Sequence, residues 1–261
     1  AILIYQGHLH VYKIADGAMI ASIIALSISF IFIYLYTKKN STWNDGHSSR
    51  SIPISNLISP VIVAGLIISM NHMLLLLMQL ADAFTMVPGL LTFGETLREA
   101  TATKGVFDRG QPLLQLVTVV GSSFATALVP QVTKINWQIS REETIEKLQL
   151  TTKYCILLSV GATVGLFTLF PEVNQLLFQN QLGTSSLRIL TISLLFTSLT
   201  VTTASTLQGF GYMKWTAIIL FLGLWAKMVL NYFLIPLWGM DGAAIATVST
   251  LIIICMTNFL L

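Results

Sequence analysis

The chain has 261 residues, of which 54% are hydrophobic and only 10% charged. A soluble domain carries roughly 25% charged residues, so water is excluded as the main solvent and a bilayer takes its place; the mean hydropathy of +0.78 agrees. The net charge of +3 is scattered, without the basic block that binds nucleic acid, so no nucleic-acid partner is expected.

About 20 apolar residues cross the ~30 Å hydrocarbon core as a helix, and backbone groups in lipid must be satisfied within the segment. Seven stretches meet that length, which predicts an all-α polytopic bundle with spans at 17–37, 57–82, 107–129, 151–170, 187–207, 215–237 and 242–261. Pro53 precedes the second span, Pro171 is expected to close the fourth, and Pro236 lies near the exit of the sixth. Between the first two spans, TKKNSTWNDGHSSR reads as a polar, flexible loop. Residues 88–104, rich in Gly and Thr, form an outer loop with the makings of a short external helix or a gate. In 136–153 the segment SREETIEKL pairs Ser140 with Glu143 in a capping-box pattern, which predicts a short helix at the cytoplasmic interface. Gln208-Gly209-Phe210-Gly211 reads as a turn. The chain starts at Ala1 and ends inside an apolar run, as expected of part of a longer protein.

Loop charges orient the bundle. Lys38, Lys39, Arg50, Lys134, Arg141, Lys147, Lys153 and Lys214 fall on one side, against Lys13, Arg98, Lys104, Arg109 and Arg188 on the other. Eight against five makes the first side cytoplasmic.

Polar residues inside spans are costly and mark candidate sites. In the second span Asn71 and Asp82 lie within about 20° of each other on a helix, with Gln79 about 60° from Asp82. This stripe is either a cavity wall with Asp82 as a proton or cation site, or a solvated headgroup-level edge. His72, mid-span, is expected to be neutral and bonded to another helix. In the third span Asp108, Gln111, Gln115 and Ser122 fall within about 60° of one another. Arg109, at the edge of that stripe, either holds a phosphate through its bidentate fork or snorkels and pairs with Asp108. Lys227 lies near the middle of the sixth span, too deep to snorkel, with Asn231 one turn later. It either faces a cavity, where it neutralises an anionic headgroup or couples to a carboxylate, or forms a structural pair with a helix-end carbonyl or polar neighbour. Arg188 is expected at the outer interface.

No nucleophile elbow, HExxH or P-loop is present, so an enzyme is not expected and ATP hydrolysis within the chain is not the energy source. The chain calls for no cofactor and no metal; an ion gradient, of H+ or Na+, or the membrane potential would drive it. Cys155 and Cys255 read as buried small hydrophobes, and His8 with His10 as a weak metal pattern.

Four stretches resemble the multidrug/oligosaccharidyl-lipid/polysaccharide flippase superfamily, and most closely its MurJ-like lipid II flippases of Gram-positive bacteria. They are QLADAFT at Gln79–Thr85, GVFDRGQPLLQL with TALVPQVTK at Gly105–Leu116 and Thr126–Lys134, TLQGFGY at Thr206–Tyr212, and KMVLNYFLIPLWGMDGAAIAT at Lys227–Thr247. The resemblance implies a two-lobed transporter of the bacterial cytoplasmic membrane. Residues 1–37 would hold the last span of the first lobe, 38–56 a cytoplasmic inter-lobe loop, and 57–261 six spans of the second lobe. It also implies a cationic Arg lining the central cavity at the position of Arg109.

The expected activity is alternating-access flipping of a polyprenyl-diphosphate-linked sugar, lipid II foremost, with membrane lipids and the rest of the polypeptide as partners. Arg109 and Lys227 would neutralise phosphate, Gln111, Gln115 and Asn231 would bond the head, and Asp82 and Asp108 would pair with the cations or bind the coupling ion. A polysaccharide repeat-unit flippase and a multidrug cation antiporter of the same fold are the rivals. A membrane glycosyltransferase is disfavoured by the short loops.

Overall fold

The computed structural model describes residues 11–40, 54–116, 118–119 and 141–261. The chain divides into two units, Ala1–Pro53 and Ile54–Leu261. All described secondary structure is helical, and four helices are long and apolar enough to cross a membrane. The protein is an all-α membrane helix bundle.

The first unit holds one helix, α1 (Val11–Asn40), which contains the expected first span. At 1.5 Å per residue it is about 45 Å long. The described side chains of its middle, including Leu26 and Phe30, are exposed.

The second unit begins with α2 (Ile54–His72) and α3 (Leu74–Phe93). Only Met73 separates them, and bonds from Met73 N to Ser69 O and from Leu77 N to Met73 O carry the ladder across. The helix therefore runs past the expected end at Asp82 and absorbs Pro88, which the sequence placed in the outer loop. Proline costs one helical bond and a steric clash, but in lipid the unwound alternative exposes more backbone. Termination waits for Gly94, left-handed at φ 112°, which donates to the Leu90 and Leu91 carbonyls.

Of the expected short helix or gate in 88–104, a helix is found, α4 (Leu97–Asp108). Its capping box is Thr96 with Glu99: the Glu99 N–H donates to Thr96 Oγ1, and the Thr96 N–H donates to Glu99 Oε2 at 2.9 Å. A helical stretch over residues 111–116 follows. Ser122, Ser140 and the remainder of the third span lie outside the described residues.

α5 (Arg141–Phe178) merges what the sequence separated into an interfacial helix and a fourth span, and it continues seven residues beyond Pro171. Buried Phe170 and Asn174 on either side of the proline tie that last stretch to the bundle. α6 (Thr184–Thr191) and α7 (Ser193–Gly209) join through helical Ile192 and make the fifth span. The expected turn follows, with Gly211 at φ 90° and Tyr212 N donating to Leu207 O.

α8 (Met213–Leu260) has 48 residues, about 72 Å if straight, more than twice the hydrocarbon thickness. It breaks at Gly239 (φ 55°, ψ −131°) into arms 213–238 and 240–260, the expected sixth and seventh spans. The arms fold back on each other: Gly242 packs against Leu234, Lys227 against Ala243 and Thr247, and Gly223 against Ile254. A Cβ on Gly242 would stand 2.2 Å from the Leu234 carbonyl oxygen, so only glycine permits this approach.

The outer turns gather at one end. Gly183 lies against Val106 and Met240, and Gly239 against Phe93. One apolar cluster sits toward this end, with Met86, Leu90, Phe107, Leu187 and Ile235. A second contains Leu74, Met78, Ile219, Leu220 and Leu251. Along α3 and both arms of α8, a polar layer separates the two.

Candidate functional site: a buried charge cluster between three spans

On α3 the residue between Met78 and Met86 is Asp82, and on the first arm Lys227 and Asn231 stand at i and i+4 on one face. Thr247, one turn after Ala243 on the second arm, faces them. These residues meet. Lys227 Nζ lies 2.8 Å from Asp82 Oδ1, 3.1 Å from the Ala243 carbonyl, and donates to the Thr247 hydroxyl. Asn231 Nδ2 donates to Asp82 Oδ1 and to Thr85 Oγ1, both at 2.7 Å. Thr247 Oγ1 donates in turn to the Ala243 carbonyl.

The cluster is closed. Lys227 and Asn231 are 0% exposed and Asp82 is 1% exposed. Lys227 meets a carboxylate together with the carbonyl and polar neighbour of the structural alternative, and in this state it does not line an open cavity. The headgroup-level reading of Asp82 fails for the same reason. A lone charge at this depth is costly, and an ion pair with full hydrogen bonding is the form in which it is tolerated. The pairing is incomplete on the acceptor side: Asp82 Oδ2 and Asn231 Oδ1 are buried and have no partner among the described residues.

Gln79, one turn before Asp82, donates to Gln111 Oε1 at 3.2 Å. Gln111 is buried and Gln115, one turn on, is half-buried. Asn71 is buried, with its Nδ2 unpartnered. His72 is exposed, contrary to the expected interhelical bond.

Arg109 and Asp108 belong elsewhere. Asp108 ends α4 and pairs with Lys104 one turn earlier, so it does not join the Asp82 cluster. Arg109 follows as the C-cap of α4. Its Nη2 donates to Asn180 Oδ1 and the Leu182 carbonyl at 2.7 Å and to Asn174 Oδ1 at 3.2 Å. Its guanidinium lies 4.5 Å from the centroid of the Phe178 ring. In this state Arg109 therefore ties α4 to the end of α5 rather than flanking a phosphate. Arg188 acts similarly: Nε donates to the Phe167 carbonyl and the guanidinium stacks on the Phe167 ring.

The sequence reading missed Thr85, Ala243, Thr247, Asn174 and Asn180. Thr85 carried a signal, since it sits three residues after Asp82 on the same helix face. It also links the cluster to an apolar groove of about 610 Å³ between α3 and the first arm, lined by Phe84, Pro88, Tyr232, Phe233 and Pro236. Cys155 and Cys255 are buried free thiols in one apolar cluster with Leu199.

No family model and no solved structure matches the chain. The chain is 38% identical over 236 residues, 90% of its length, to the uncharacterized membrane protein YabM of Bacillus subtilis. It covers 44% of that relative, less than half its length. Over 84 residues, 31% of the chain and 20% of the relative, it is 39% identical to the uncharacterized membrane protein MJ1375 of Methanocaldococcus jannaschii.

Proposed function

We propose that the chain is the second-lobe region of an alternating-access flippase that moves a polyprenyl-diphosphate-linked sugar, lipid II foremost, across the bacterial cytoplasmic membrane. The observation that carries this reading is the meeting of two flippase-like stretches. QLADAFT contributes Asp82 and Thr85, and KMVLNYFLIPLWGMDGAAIAT contributes Lys227, Asn231, Ala243 and Thr247. Two of the stretches that carry the resemblance thus build a charge layer joining three spans.

A diphosphate cannot cross hydrocarbon without compensating charge. Lys227, held by Asp82 in the closed state, supplies that charge when the spans part, and Asp82 takes it back when cargo leaves. Each ligand then stabilises a different arrangement, which is the requirement for a coupled transition. Arg109 acts beside this as a positioning group at the outer end. The same carboxylate with an unpartnered oxygen also favours a second reading, a cation antiporter in which Asp82 exchanges a proton for an organic cation.

One experiment separates them. The full-length protein is supplied to cells depleted of their own lipid II flippase, and lipid II exposed at the outer face is measured. The expected outcome is restoration by the unmutated protein and at least tenfold loss with Lys227→Gln. Restored cation efflux without restored lipid II exposure would reverse the choice. Export of another polyprenyl-linked sugar alone would move the cargo to polysaccharide repeat units.

A further inference from the structure

A lysine ammonium has three N–H donors, and Lys227 finds three oxygens: a carboxylate from Asp82, the carbonyl of Ala243 and the hydroxyl of Thr247. Carboxylate, carbonyl and hydroxyl, drawn from separate helical segments, form the donor set of a hard cation. Neighbouring oxygens exceed what the lysine uses. Among the described residues, Asp82 Oδ2 and Asn231 Oδ1 are buried without partners. An orphaned buried acceptor is costly, and a shell of surplus oxygens is expected around a cation rather than within a neutral network.

Resting on the reading of Asp82 as the coupling carboxylate, we propose that the Lys227 ammonium is the resident cation of an oxygen cage, and that this cluster consequently takes no free alkali cation. The protein carries the ion on its own chain. The titratable groups brought together are Asp82 from α3 and Lys227 from the first arm, while the second arm supplies a carbonyl and a hydroxyl. The charge of the cage then changes by movement of a proton, and coupling here is to H+ rather than Na+.

The test reads ion binding, not transport, so its failure is distinct from failure of the flippase reading. The full-length protein in mild detergent is unfolded by heat in sodium chloride and in choline chloride at equal ionic strength. The unmutated protein is expected to melt at one temperature in both. Lys227→Ala vacates the ammonium position and leaves the oxygens, so it is expected to melt about 3 °C or more higher in sodium. Adding Asp82→Asn to that variant is expected to abolish the shift. A sodium-specific shift in the unmutated protein overturns the proposal, and so does a folded Lys227→Ala protein indifferent to lithium, sodium and potassium. Should Lys227→Ala fail to fold, calorimetric titration of the unmutated protein with sodium decides: saturable binding lost on Asp82→Asn overturns the proposal, and no saturable binding supports it.

Discussion

Asp82 and Lys227 are each intelligible only through the other. Removing one partner of a buried ion pair leaves an uncompensated charge and destabilises by about 3–5 kcal/mol, whereas removing both is far milder. Lys227→Met and Asp82→Asn, measured singly in choline by unfolding in detergent, are expected to fall near that range. The double variant should lose less than either single variant. Additive losses would mean that the two side chains do not depend on each other. Arg109 shows the converse. Its type and position invite a phosphate, yet Asn174, Asn180 and Leu182 take up its Nη2. Those partners lie 65 to 73 residues away and carry no periodic signal, so sequence offered no way to foresee them.

Helices were legible where lipid dictates length and obscure where it does not dictate an end. The seven apolar stretches stood out because a bilayer demands about 20 residues each. The ends at Asp82, ahead of Pro88, and at Pro171 were misplaced because proline breaks helices in water more readily than in lipid, where neighbours and solvent-free surroundings favour continuing the helix. α4 lies outside the spans and obeys aqueous rules. Its cap holds the Glu99 carboxyl below the ordinary carboxylate range, chiefly through the Thr96 backbone N–H and then its hydroxyl. A lowered native value means this contribution is complete above the unfolded carboxylate range and is lost as pH falls through the native value. Amide exchange in the first turn of α4 is therefore expected to show protection declining at acid pH, beyond the intrinsic pH dependence of exchange. Thr96→Ala should lower that protection near neutral pH, and Glu99→Gln should remove most of its pH dependence.

For the whole second unit, alternating spans bring the turns near 94, 183 and 239 to one end and the 209–213 turn to the other. The loop charges lead us to expect the first end outside. Because Cys155 and Cys255 are buried, a membrane-impermeant thiol reagent applied to intact cells should leave the unmutated chain unlabelled. Glu95→Cys should label from outside, and Lys214→Cys only after the membrane is permeabilised. The reverse pattern would invert the bundle. Pairing of Asp82 with a cation was expected from residue types, but its contact with Asn231 was not legible in advance, since the two are 149 residues apart and no local spacing announces that they touch.

That separation has a consequence for how the protein is made. The arm 213–238 enters the bilayer with a lysine at its middle, which on insertion scales disfavours the segment by about 2.5–3.5 kcal/mol. Its counter-charge was synthesised long before, on α3, and must still be within reach when the arm emerges from the ribosome. The hairpin at Gly239 delivers the carbonyl and hydroxyl that complete the ammonium's shell only after the second arm is translated. Until then, earlier spans have to wait beside the insertion machinery, and assembly of this lobe is a matter of timing as much as of affinity.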